Sequence, residues 1–145
     1  MLVHQILSSK ATSGVLTVAS TASVTEAVTI LAQNRVGSLV VSDDGGQTAL
    51  GILSERDVVR ELATAGDGCL KQPVSTYMTR KLVTCTRKDT AQDILTTMTE
   101  GRFRHMPVVE DGKMVGLVTL GDVVKAQLSV LAMEKQALEG MIMGH

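Results

Sequence analysis

Aromatic side chains are almost absent from this 145-residue sequence, which has one Tyr (Tyr77), one Phe (Phe103) and no Trp. Stacking platforms for single-stranded nucleic acid are therefore missing. The core must be aliphatic, built from Val, Leu, Ile, Ala and Met. An excess of one charge is lacking too: 14 Lys and Arg face 15 Asp and Glu, a formal net charge of −1. No basic field exists to attract a nucleic acid. No apolar run approaches the roughly 20 residues that span a bilayer. The opening, MLVHQILSSKATSG, has neither the charged start nor the long apolar stretch of a secretory signal. A cytoplasmic location is expected, with no nucleic-acid and no membrane partner. Cys69 and Cys85 lack the C-x-x-C spacing of zinc or redox sites and make no disulfide framework; they read as small apolar side chains. His4, His105 and His145 match no metal-ligand spacing. There is no P-loop and no nucleophile motif, so no metal and no catalytic residue is expected, and the chain reads as a non-enzyme.

What is present is a balance of 44% hydrophobic and 20% charged residues, enough for one globular unit with a core, and a repeat. Val3-His4-Gln5-Ile6-Leu7-Ser8-Ser9-Lys10 resembles Val74-Ser75-Thr76-Tyr77-Met78-Thr79-Arg80-Lys81. Ser23-Val24-Thr25-Glu26-Ala27 matches Thr90-Ala91-Gln92-Asp93-Ile94, and Leu39-Val40-Val41 matches Pro107-Val108-Val109. Gly51-Ile52-Leu53-Ser54-Glu55-Arg56-Asp57 matches Gly116-Leu117-Val118-Thr119-Leu120-Gly121-Asp122. Residues 65–71, with two glycines, read as the join. The division expected is 1–68 for repeat one, 69–128 for repeat two and 129–145 for a helical extension.

Each repeat carries the same local signals. Extended pieces at 16–19 and 82–86 lead into amphipathic helices, with Val24, Ala27, Val28 and Leu31 at helical spacing in one and Ala91, Ile94, Leu95 and Met98 in the other. Ser23 with Glu26, and Thr90 with Asp93, have capping-box spacing. Strands are expected at 38–42 and 49–54, and at 106–110 and 114–119. Asp43-Asp44-Gly45-Gly46 and Asp111-Gly112 mark the turns between them. A second helix starts near Asp57 or Asp122. Each half thus reads β-α-β-β-α in a mixed α/β (α+β) fold. Neither half is large enough to cover its own sheet, so the two should pack together.

The doubled pattern Gly-apolar-x-Ser/Thr-x-x-Asp, Gly51…Ser54…Asp57 and Gly116…Thr119…Asp122, resembles the CBS domain family in its tandem form. The run from Arg102 to Val109 is similar to that family's second-strand signature, and the end of the chain resembles stand-alone bacterial two-repeat proteins. The resemblance implies two repeats related by a pseudo-two-fold axis. It also implies a regulatory, energy-sensing role with an adenosine-containing ligand in the cleft between them: AMP or ATP first, with ADP, NAD and S-adenosylmethionine also in the family's range.

That resemblance gives each residue an expected role. Asp57 and Asp122 would accept hydrogen bonds from neighbouring ribose hydroxyls, since an ionised acceptor makes such bonds strong. The plainer role for both is capping at a helix start. Ser54 and Thr119 would meet ribose or phosphate at a helix N-terminus, and Gly51 and Gly116 would allow close backbone approach. Arg104 and His105 would serve phosphate; a solvated charge and a structural hydrogen bond are their bland alternatives. Repeat one has uncharged Val36-Gly37 at that place, while Arg56 stands where repeat two has Gly121. Val18, Ile52, Cys85, Met106 and Leu117 are candidates for an adenine slot, with plain core as the competing reading.

From Asp122 to Met143 the sequence reads as one long helix whose Val124, Leu128, Leu131, Leu138, Met141 and Ile142 form much of an apolar stripe, interrupted by Glu134 and Lys135. The chain's own sheet could cover it. The resemblance implies instead a second copy, a homodimer. A regulated protein partner is implied but not identified. The rival to ligand sensing is a ligand-free interaction or dimerisation scaffold.

Overall fold

A computed structural model describes residues 1–10 and 14–142. Met143, the expected end of the long helix, and the last two residues of the 129–145 extension lie outside them.

The two amphipathic segments fold as helices for the same reasons. In α2 (Val24–Asn34) the Ser23 hydroxyl accepts the Glu26 N–H at 3.1 Å; in α4 (Ala91–Gly101) Thr90 accepts that of Asp93 at 3.1 Å. These are N-caps, formed without the reciprocal acid-to-backbone bond of a full box. Val24, Ala27 and Leu31 of α2 are buried, as are Ala91, Ile94 and Met98 of α4. Both helices stop at an arginine in the left-handed region, Arg35 (φ 53°) and Arg102 (φ 57°).

The sheets are short. β1 (Thr17–Val18) lies parallel to β2 (Ser38–Val41), which pairs antiparallel with β3 (Gly51–Ser54). In the second half β4 (His105–Glu110) pairs antiparallel with β5 (Lys113–Thr119) across the two-residue turn Asp111-Gly112. Both turn residues have positive φ, the signature of a type I′ hairpin. The strand expected at 82–86 is not formed; it is reduced to one parallel bridge, Cys85 to Val108. A proline explains the loss. In the first half Val40 N–H donates to the Leu16 carbonyl and extends the ladder. In the register of the Cys85 bridge that place is taken by Pro107, which therefore matches Val40 and not Leu39 as the sequence comparison has it, and proline has no N–H.

Helix α3 (Glu55–Ala65) follows β3 directly, and α5 (Leu120–Ile142) follows β5. The join is a 3₁₀ segment, Gly66–Lys71, with a second one at Val74–Thr76. Helix α1 (Val3–Ser9) opens the chain.

Two aliphatic cores result, and each borrows from across the 68/69 division. Val74 and Met78 pack into the core of Val24, Leu39 and Leu53. Val3 and Ile6 of α1 pack into the core of Met98, Met106 and Val118. The backbone follows: Val74 N–H donates to Ala22 O, and Val3 N–H to Asp89 O. Burying a side chain such as Val3 or Ile6, 0% and 2% exposed, is worth about 1.5–3 kcal/mol each. The matching octets of the repeat therefore sit at equivalent places, but each on the other half.

Helix α5 turns Val123 and Ala126 inward. The stripe expected to need cover is the other face, and its own chain does not cover it: Leu128, Leu131 and Leu138 are 61%, 51% and 58% exposed.

Candidate functional site

The same local chemistry starts α3 and α5. Ser54 Oγ accepts the Asp57 N–H at 3.1 Å while Asp57 Oδ2 accepts the Ser54 N–H at 3.0 Å. Thr119 and Asp122 repeat both bonds at 3.1 and 3.0 Å. The acid is thus not the cap itself. Ser54 is the N-cap and Asp57 the third helical residue of a complete capping box. A carboxylate has about four acceptor sites, so capping leaves capacity for a ligand.

Between the halves lies a cleft of about 680 Å³. It is lined by Ile52, Ser54, Arg56 and Asp57 from the first half and by Arg104, His105 and Thr119 from the second. These seven expected residues meet there. The others do not line it. Val18, Cys85 and Met106 are core, 6%, 4% and 1% exposed, so the plainer reading fits them better than an adenine slot. Burial pushes the Cys85 thiol up to about 12, with Asp89 adding to the shift. Leu117 and Asp122 also lie outside the lining. Gly51 and Gly116 face protein instead of ligand: a Cβ on Gly51 would meet Met78 and Thr79, and one on Gly116 would meet Leu7.

The sequence reading missed Arg60, Lys81 and Arg102, all in the lining. Arg60 Nη2 donates to Asp57 Oδ1 at 2.8 Å, a helical i,i+3 relation that spacing alone could have revealed. Lys81 ends the second of the matching octets, and Lys10 ends the first. Lys10 Nζ lies 3.0 Å from Asp122 Oδ2 and donates to the Leu117 carbonyl at 2.9 Å. Burial raises the Asp122 carboxyl, but the Thr119 N–H and Lys10 outweigh it and hold it below the usual range.

The cleft is strongly cationic in a chain of near-zero net charge. Arg56, Arg60, Lys81, Arg102 and Arg104 line it against Glu55 and Asp57. Such a concentration of donors, walled by Ile52, Leu82, Val83 and Phe103, suits an anionic ligand with an apolar body.

His105 faces Thr119 across the β4–β5 ladder. Burial lowers its pKa, Arg104 and Lys10 lower it further, and Asp122 opposes them. The unfolded chain therefore binds this proton more readily than the folded one. Stability is whole above the ordinary His range near 6.5 and falls as pH drops through it. Melting between pH 7.5 and 5.5 should show a steeper loss for the wild type than for His105→Gln; parallel curves would remove His105 from this account.

Among the described residues no helix is long and apolar enough to cross a membrane, and no group of three His, Cys, Asp or Glu could hold a metal ion. The CBS domain profile matches residues 3–64 and 74–129. A mitochondrial CBS domain-containing protein of Arabidopsis thaliana, CBSX3, is 38% identical over 122 residues, which is 82% of this chain and 59% of that protein's length. The crystal structure of a CBS-domain containing protein from Agrobacterium tumefaciens superimposes with TM-score 0.82 at 40% identity, covering 88% of this chain and 99% of that one. The CBS domain pair of protein MJ0100, in complex with 5′-methylthioadenosine and S-adenosyl-L-methionine, superimposes with TM-score 0.76 at 25% identity, over 89% and 97% of the two chains. With its doubled profile match and its two exchanged half-cores, the chain belongs to the CBS domain family as a tandem pair.

Proposed function

We propose that this chain is a regulatory module, without catalysis of its own, that takes an adenine nucleotide in the cleft between its repeats. AMP or ATP is the first choice and NAD the longer rival. The observation that carries the reading is the placement of Asp57, a buried carboxylate with acceptor capacity left, beside five Lys and Arg side chains in one cleft. The carboxylate suits a ribose diol, and the cations suit phosphates. The adenosyl ligands of the MJ0100 pair support the ligand class. S-adenosylmethionine itself fits less well, because its sulfonium would enter a cleft already rich in positive charge. Binding would favour one arrangement of the halves over another, and a regulated partner would read the difference.

A thermal-shift panel of AMP, ADP, ATP, NAD, NADH and S-adenosylmethionine tests this. A nucleotide at about a hundredfold over its Kd should add about 2.7 kcal/mol of apparent stability, with little response to S-adenosylmethionine. Silence from all six would leave the scaffold reading in its place.

The uncovered stripe on α5 favours a second copy as its partner, since Val124, Leu128 and Ala132 line an apolar groove beside exposed Leu131, and Leu138, Met141 and Ile142 are exposed further along the helix, beyond Glu134 and Lys135. Light scattering should give twice the 15.4 kDa chain mass, and Leu128→Glu with Leu131→Glu should return it to one. A wild type already at one chain mass would rule the pairing out.

A further inference from the structure

We propose that Lys10 occupies Asp122, the carboxylate that matches Asp57 but lies outside the cleft lining, and so closes it to a ribose and makes the two halves bind nucleotide unequally. The inference rests on the nucleotide reading above and concerns how its two acidic positions differ. The repeat supplies each half with the same parts: Lys81 and Lys10 end the matching octets, and Arg60 and Lys125 follow the matching motifs. The halves use them differently. In the first, the partner of Asp57 is Arg60, on the same helix, with a side chain 60% exposed and free to swing toward solvent. Lys81 lines the open cleft.

In the second half the partner of Asp122 is Lys10, from a distant element. Its ammonium is held at two points, the Asp122 carboxylate and the Leu117 carbonyl. The matching carbonyl of the first half, that of Ile52, accepts the Thr79 backbone N–H instead and needs no ammonium. Lys125 makes no ion pair among the described residues. Lys10 is also tethered. It follows α1 directly, and α1 is anchored by Val3 and Ile6 in the second core and by backbone bonds to Asp89 and Arg87. A ribose diol approaching Asp122 must therefore displace an ammonium that the fold holds near it, whereas one approaching Asp57 displaces only a surface arginine.

The test compares AMP binding by titration calorimetry to Asp57→Ala, where the first half is disabled, with binding to the same protein also carrying Lys10→Met. Lys10→Met keeps the aliphatic stem and removes the charge. AMP affinity of the second half should rise about fivefold, the scale of one partly exposed ion pair. Lys10→Arg on the same background should stay at the weak value, and circular dichroism melts check that each variant folds. Equal affinity with and without Lys10, or weaker affinity in Lys10→Met, overturns this inference alone if the wild type binds AMP through Asp57. No heat from AMP with the wild type or any variant overturns the nucleotide reading and this inference with it.

Discussion

Asp57→Ala should weaken AMP or ATP binding by about a hundredfold. A charged acceptor contributes roughly 1.5–3 kcal/mol per hydrogen bond, and a vicinal diol makes two of them. Even the lower figure for each gives about 3 kcal/mol, or about two decades in Kd. The substitution also removes the acceptor for Ser54 N–H and the partner of Arg60, which should cost about 1 kcal/mol of stability as a lost capping contact. The two effects separate cleanly, because calorimetric Kd is measured well below the melting temperature. Asp122→Ala should cost far less affinity, since Lys10 already engages that carboxylate. A wild-type protein that binds nucleotide and an Asp57→Ala variant that binds it equally well would confine Asp57 to capping.

Gly51→Val should destabilise the fold by about 3 kcal/mol, at the upper end of overpacking costs, and Gly116→Val by markedly less. The two glycines hold the same place in the repeated motif but face different neighbours. A Cβ at Gly51 would sit 2.8 Å from the Thr79 carbonyl oxygen. That oxygen cannot retreat freely, because it accepts the Ile52 N–H at 3.0 Å. The nearest atoms to a Cβ at Gly116 all belong to the Leu7 side chain, the first at 2.8 Å, and a leucine can change rotamer. Urea denaturation of both variants measures the difference. Equal losses would mean that the Thr79 segment yields as easily as a side chain.

The repeat made much of this architecture readable. Four motifs recurring in one order placed the helices, the hairpins and the acid at each helix start. The capping chemistry of Ser54 and Thr119 follows from short-range spacing, which a sequence displays directly. The missing strand at 82–86 was less visible, although Pro107 stood in the sequence; only the pairing register shows that its absent N–H matters. The cationic lining was mostly hidden. Arg60, Lys81 and Arg102 come from the middle of one helix, the segment after the join and the end of another helix. Three separate elements converge on the cleft, and local pattern carries no information about such convergence. Val18 and Cys85 were candidates because the resemblance sets the segment entering each repeat beside the base, and Met106 because it follows His105; all three side chains instead pack into the two cores.

The exchanged octets bear on how the chain is made. During synthesis the first core can close once Met78 has emerged, because every side chain it uses has then been produced. Helix α1 is translated well before its docking site, which includes Val123 and Ala126. It must wait through most of translation with Val3 and Ile6 unprotected. A nascent chain that has released Met78 but not yet Val118 would therefore display a finished first half beside an undocked α1 with its apolar face bare, and closing the second core would capture a segment made long before it.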